Sequence, residues 1–262
     1  GIDPPPILAT FVLDWLYGAY AALLFVAIAV PGWIACALIR RTDWCWAMSH
    51  HASRLFFNLG RMPFMARGLE HLPSGRPCIV VVNHQSYLDG LLLMSVLREP
   101  SAFIAKRELL GHWFSRLYLN SIGTLYVERF DAQRGVEDTA RFTDLARSGR
   151  SLIVFVEGTY RRMPGLLPFR MGAFVIAAQA GVPVVPVTIR GTRSNLREGQ
   201  WLLRRGRMSV TVSAPIAPRG NDWNAAIQLR DAARAEILRL CGEPDLGEET
   251  GLAPKHETAP KE

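Results

Sequence analysis

The chain has few cysteines and none at a telling spacing. Cys36, Cys45, Cys78 and Cys241 form neither a Cys-x-x-Cys pair nor a zinc-type cluster in 262 residues. That excludes a disulfide scaffold and a thiolate metal centre, and reads as idle thiols of a reducing compartment. No Lys or Arg precedes the first apolar segment, so the basic start of a signal peptide is missing. No segment repeats itself, which excludes a solenoid. Charged residues make up 20% and aromatic residues 10%, values that argue against wholesale disorder. The basic residues are scattered and form no single stripe with exposed aromatics, so no nucleic-acid partner is expected.

What is present is half apolar and basic. Hydrophobic residues reach 49%, enough for one sizeable core. The formal net charge of +7 suits an anionic bilayer or a phosphorylated substrate.

From Trp15 to Ile39 no residue is charged, and Arg40 and Arg41 follow at once. A run of that length as a helix is enough to cross a hydrocarbon core of roughly 30 Å. Pro31-Gly32 interrupts it, so a broken helix or two shorter ones are alternatives to a single span. Trp15, Tyr17, Tyr20, Trp33, Trp44 and Trp46 dot the region as interface-seeking residues do. Arg40, Arg41, Arg54 and Arg61 follow the run, against Asp3 and Asp14 before it, which places the rest of the chain on the cytoplasmic side. Spanning, re-entrant and interfacial placements all stay open, and membrane contact is the common content. Gly1 to Pro6 reads as a loose leader.

After a His- and Arg-rich linking stretch, Ser49 to Met65, the texture becomes globular. Cys78 to Val82 is a short β-branched run of the kind buried on both faces of a sheet. Further strands are predicted at Ala102 to Ala105, Gly123 to Val127, Ser151 to Val156, Val182 to Ile189 and Met208 to Val212. Helical spacing occupies Leu88 to Leu97, Leu110 to Leu119, Val136 to Arg147, Ala173 to Ala180 and Trp223 to Leu240. Strands alternating with helices define an α/β fold with a largely parallel central sheet flanked by helices.

The chemistry collects at strand ends. The Ile79 to Val82 strand runs into Asn83-His84-Gln85-Ser86-Tyr87-Leu88-Asp89-Gly90, and the carboxyl end of a parallel strand is where ligands bind. A His there can serve as a general base, and a carboxylate can orient its ring. On one continuous helix five residues would leave His84 and Asp89 about 140° apart, so the two meet only if the chain turns between them. Ser86 as an N-cap would start the helix late enough. By itself a His-x4-Asp spacing is a weak signal. A second strand, Leu152 to Val156, ends in Glu157-Gly158-Thr159-Tyr160-Arg161-Arg162, where Gly158 admits a ligand to the backbone and the cations suit a phosphate. A third delivers Arg129 after Gly123-Thr124-Leu125-Tyr126-Val127-Glu128.

These blocks together resemble the glycerolipid acyltransferase family, typified by 1-acylglycerol-3-phosphate acyltransferase. Its Asn-His-x-Ser-x-x-Asp block is matched by Asn83, His84, Ser86 and Asp89. Its Gly-x-x-(Phe/Tyr)-(Ile/Val)-x-Arg block is matched by Gly123, Tyr126, Val127 and Arg129. Phe155, Glu157, Gly158 and Thr159 match Phe-Pro-Glu-Gly-Thr-Arg, and Val182, Pro183, Val184, Pro186 and Val187 match the final Val-Pro strand. Ala105-Lys106-Arg107-Glu108-Leu109 looks like the family's Lys-x-Glu-Leu stretch. The blocks stand in the expected order from about Arg67 to Pro215. Val156 replaces the usual Pro. Tyr160 replaces an Arg that helps to bind the acceptor phosphate, with Arg162 as a shifted substitute.

The resemblance implies a glycerol-3-phosphate acyltransferase-like fold, and the composition of the two ends divides the chain into three parts. These are an N-terminal membrane-associated segment at 1–60, an α/β acyltransferase domain at 61–241 and a disordered acidic tail at 242–262. The resemblance implies transfer of a fatty acyl group from acyl-CoA or acyl carrier protein to the sn-2 hydroxyl of 1-acylglycerol-3-phosphate at the cytoplasmic face of a membrane. The thioester is a co-substrate, and no further cofactor or metal is expected. His84 and Asp89 form the catalytic pair, and backbone N–H groups near the N-terminus of the motif's helix hold the oxyanion. Lys106, Arg129, Gly158, Thr159 and Arg162 bind substrate, while Glu157 orients its own loop or the acceptor's hydroxyls. Another lysolipid, such as lyso-ornithine lipid or a lysophospholipid, is the alternative acceptor that Tyr160 keeps open. A non-enzymatic membrane-binding scaffold is the remote alternative.

Overall fold

The computed structural model describes residues 7–111, 113–127 and 132–248. A long helix α1 (Ile7–Ile39) and α2 (Thr42–Leu59) lead into strand β1 (Phe64–Arg67). Then follow β2 (Ile79–Val82), α3 (Leu88–Val96), β3 (Ala102–Lys106), α4 (Trp113–Ser121), β4 (Leu125–Val127) and α5 (Ala132–Arg147). The chain continues through β5 (Leu152–Phe155), α6 (Gly172–Ala180), β6 (Val184–Arg190), the single turn α7 (Thr192–Asn195), β7 (Met208–Val212) and α8 (Trp223–Cys241).

Among the described residues seven strands form one sheet, in the order β1-β7-β6-β2-β5-β3-β4. Every pairing is parallel except β6 with β7. Strand β2 lies at the centre, and all four of its residues are buried. Its side chains alternate between two cores, as pleating requires. Val80 and Val82 face a layer built from α1, α2 and α3, whereas Ile79 and Val81 face α5, α6 and α8.

Of the N-terminal segment expected at 1–60, the helices at 7–59 contribute to the first of these cores. Tyr17, Ala21 and Cys36 of α1 and Cys45, Trp46, Phe56 and Phe57 of α2 share a cluster with Val80 and Leu92. Tyr17 and Trp46 therefore do not seek an interface. Trp46 is fully buried and stacks on Phe103, while Trp15 and Trp44 remain exposed. Helix α1 runs through Pro31 as one helix of 33 residues. Its stretch Val12–Ile39 is long and apolar enough to cross a membrane.

The His- and Arg-rich stretch is not a linker. It is the second half of α2 followed by β1, an edge strand that four residues of ordinary composition did not announce. Its polar residues serve a neighbour. His50 Nδ1 lies 2.9 Å from the Met94 carbonyl and 3.1 Å from that of Leu97, and Arg54 donates to Ser95 O. These are carbonyls that the end of α3 leaves without helical partners. The tail beyond Gly242 also differs from expectation. Residues 242–248 are ordered against the loop after β5, where Leu166 N–H donates to Pro244 O and Leu246 N–H to Leu166 O. The remainder, 249–262, lies outside the described residues.

Candidate active site

Parallel pairing of β2 with β5 sets Val82 beside Phe155, so the loops that follow the two strands leave the sheet together. Asn83 extends the order by one residue. Its amide donates to Ile189 O at 2.9 Å and accepts from Ile189 N–H at 2.7 Å, standing in for a rung of the sheet. The chain then turns before α3 begins, so His84 and Asp89 do not share a helix. Ser86 sits one residue ahead of the capping position. Its Oγ still accepts from Leu88 N–H and donates to Leu196 O.

That turn closes the pair. His84 Nδ1 lies 2.8 Å from Asp89 Oδ2, and the same oxygen accepts Gln85 N–H at 2.6 Å and Ser86 N–H at 2.9 Å. Asp89 is fully buried in the first turn of α3, where the helix dipole favours a negative charge. Donation from Nδ1 to this carboxylate assigns Nε2 as the ring's acceptor. The imidazole stacks on Phe155 and meets the edge of Tyr160 at 4.6 Å between centroids.

The N–H groups expected to hold an oxyanion are engaged. Those of Gln85 and Ser86 go to Asp89, that of Leu88 to Ser86 Oγ, and that of Asp89 to Ser86 O. The His–Asp turn thus engages four of the N–H groups at this helix start.

Glu157 faces inward. Its carboxylate accepts His84 N–H at 2.7 Å and Leu167 N–H at 2.8 Å, tying the two strand-end loops together. Burial raises its pKa to about 7, against the opposing pull of those two N–H groups. Of the two roles expected for it, the geometry provides that of a loop brace. Gly158 takes φ of +70°, a conformation that disfavours a side chain, and lines a cavity together with Thr159 and Tyr160. Lys106, at the end of β3, lines the same cavity. Arg162 is exposed and does not line it, so the charge missing at Tyr160 is not restored inside. Arg129 lies outside the described residues; Tyr126 and Val127 of its block sit on β4, the far edge of the sheet.

The cavity encloses about 480 Å³. His84, Lys106, Thr159, Tyr160 and Glu198 are among its polar lining, and Leu91, Met94, Phe103, Leu119 and Ile122 among its larger apolar lining. A second cavity of about 410 Å³ shares Tyr87, Leu91, Leu109, Tyr118 and Leu119 with the first and continues to Phe25, Ile28 and Trp33 of α1. Tyr87, Glu198 and the stacking role of Phe155 were not read from the sequence, though Tyr87 and Phe155 lie inside the recognised blocks. Among the described residues no group of three His, Cys, Asp or Glu side chains could hold a metal ion.

The oriented His–Asp pair lines a largely apolar cavity beside the carboxyl ends of β2 and β5, an arrangement suited to acyl transfer, and the class of domain is shown by its relatives. The Acyltransferase family model matches residues 64–190, which contain all three strand-end blocks. A chloroplastic 1-acyl-sn-glycerol-3-phosphate acyltransferase of Brassica napus is 36% identical over 172 residues, covering 64% of this chain and 50% of that protein. A 1-acyl-sn-glycerol-3-phosphate acyltransferase of Chlamydomonas reinhardtii is 30% identical over 261 residues, 95% of this chain and 76% of that protein. The chain belongs to the 1-acyl-sn-glycerol-3-phosphate acyltransferase family. It spans about half the length of the Brassica napus and Arabidopsis thaliana relatives, 50% and 48%. The fold is that of the 1-acyl-sn-glycerophosphate acyltransferase of Thermotoga maritima, with TM-score 0.70 at 24% identity over 87% of this chain and 95% of that one.

Proposed function

We propose that the protein transfers a fatty acyl group from acyl-CoA or acyl carrier protein to the sn-2 hydroxyl of a 1-acylglycerol-3-phosphate, giving phosphatidic acid. The observation that carries this reading is His84, held by Asp89 and opening onto a cavity whose lining is largely apolar. His84 Nε2 takes the proton of the acceptor hydroxyl as its oxygen attacks the thioester carbonyl. Collapse of the tetrahedral intermediate breaks the C–S bond, and the leaving thiolate takes that proton from the imidazolium. Asp89 holds the ring in the productive tautomer and stabilises its charged form. The apolar lining at Leu119 and Ile122 accepts the acyl chain, while Lys106 and Arg129 serve the acceptor's phosphate.

The protein acts at the cytoplasmic face of a membrane in this reading. Buried and partly buried residues of α1 recur at Tyr17, Ala21, Leu24, Ile28 and Cys36, a stripe about 28 Å long laid along the rest of the molecule. The opposite flank exposes Leu16, Leu23 and Leu38. A helix fastened lengthwise to its domain embeds by that flank without carrying the domain across the bilayer.

A second acceptor reading stays with the same chemistry. Tyr160 and Glu198 stand in the polar part of the cavity where a phosphate-binding Arg was expected, which favours a lysolipid with a less anionic head group. The test is the purified full chain assayed with both thioester donors against lysophosphatidic acid, lysophosphatidylcholine and lyso-ornithine lipid. Tyr160→Arg should move kcat/KM toward lysophosphatidic acid if the family's acceptor is not already preferred. Loss of transfer to every acceptor in His84→Ala, with the fold kept, supports the base assignment; substantial residual transfer defeats it.

A further inference from the structure

Glu243 has no part in the chemistry above, and it lies well past residue 190, where the family model ends. Its carboxylate is nevertheless a junction. Oε1 accepts from Gln85 Nε2 and Arg193 Nε, each at 2.9 Å, and Oε2 accepts from Arg193 Nη2 and Gly165 N–H, again at 2.9 Å. The Glu243 and Arg193 side chains are only 11% and 13% exposed. Arg193 spends its remaining Nη1 on the Arg161 carbonyl.

These contacts reach two separate loops. Gln85 adjoins His84 on the loop after β2. Gly165 and Arg161 belong to the loop after β5, which also presents Thr159 and Tyr160 to the cavity and Leu167 to Glu157. The chain around Glu243 is shaped for the task. Leu166 forms a parallel bridge with Asp245, and Gly165 adopts φ of +150°, where an added Cβ would lie 2.1 Å from Leu246. Asp245 is fastened in turn by Arg234.

We propose that Glu243 is a positioning residue of the acyl transfer, fixing the loop of His84 against the loop of Thr159 and Tyr160 through Gln85, Gly165 and Arg193. This rests on His84 being the base. Misplacing a reacting group by about 1 Å costs on the order of 10²-fold in rate. None of residues 242–248 lines the cavity, so substrate binding is separable from alignment. Loosening the junction should lower kcat and spare KM.

Removing Glu243 alone strands Arg193 as a buried unpaired charge, a change that destabilises whatever the function. The test therefore uses the double variant Glu243→Met/Arg193→Met, which removes both charges, beside Glu243→Gln, which keeps an acceptor. The double variant should lose ~10- to 100-fold in kcat, with KM for donor and acceptor within about twofold and an unchanged melting temperature. Glu243→Gln should fall between it and the wild type. A folded double variant with wild-type kcat overturns the proposal. So does a loss of activity that merely tracks a lowered melting temperature. Activity in His84→Ala would instead remove the base assignment, whatever Glu243 does.

Discussion

The His84 imidazole lies nearly flat on the Phe155 ring, with centroids 4.3 Å apart and planes 23° from parallel. One sequence block thus supplies the face on which the ring rests, and another supplies Asp89 at its edge. The ring has little freedom left to lose when substrate arrives.

His84→Ala should lower kcat by ~10²–10⁴-fold, the usual worth of a positioned base. Asp89→Asn should also fall steeply, because three donors converge on one oxygen that an amide offers in only one orientation. Steady-state kinetics beside thermal melting checks both. A folded Asp89→Asn with wild-type kcat would contradict the orienting role.

Glu157 makes stability depend on pH with a defined sign. Its carboxyl holds a proton up to about 7 in the folded chain, against an ordinary value of 4.5. Between those values the folded state binds the extra proton, so this group's contribution to stability falls as pH rises through the window. The full effect amounts to about 3 kcal/mol. Glu157→Gln cannot ionise, and its lost hydrogen bond is independent of pH. Denaturant unfolding at pH 5 and pH 8 should therefore show the variant gaining on the wild type at the higher pH. A gap that stays constant rules the idea out.

The two cavities share Leu91 and Leu119. Leu119→Trp should fill space beside this shared wall and shift donor preference toward shorter acyl chains, with kcat on a short-chain thioester retained. Competition assays with mixed chain lengths read the shift directly. An unaltered profile would place the acyl chain elsewhere.

The outward flank of α1 should carry the membrane contact. The triple variant Leu16→Gln/Leu23→Gln/Leu38→Gln changes side chains that are 63%, 73% and 78% exposed and leaves the buried stripe alone. Vesicle flotation should fall sharply while circular dichroism stays the same. Flotation equal to the wild type would locate the contact on another surface.

The sequence was most legible where apolar runs are continuous. β2, β5 and β6 announce themselves as β-branched strands, and the loops behind them carry the recognisable blocks. β1 is as long as β2 and β5 but has no β-branched residue, and that hid it. The end of α2 was hidden by His50 and Arg54, whose polarity resembles a linker until α3 supplies the carbonyls they meet. Trp46 looked like an interface residue because composition cannot say which way a helix faces. The N–H groups of Gln85, Ser86 and Leu88 looked available until Asp89 and the Ser86 hydroxyl were seen to accept them. Glu243 left no local trace, since its contact with Gln85 joins residues 158 positions apart.

That separation bears on how the molecule is made. α1 and α2 are adjacent in sequence and pack together, so this hairpin can form while the rest of the chain is still being synthesised. The loops around His84 cannot be locked until the stretch bearing Glu243 has left the ribosome. On the function proposed above, the apolar flank is available to a bilayer before the catalytic loops are fixed, and the nascent chain can reach a lipid surface before it is competent to modify one.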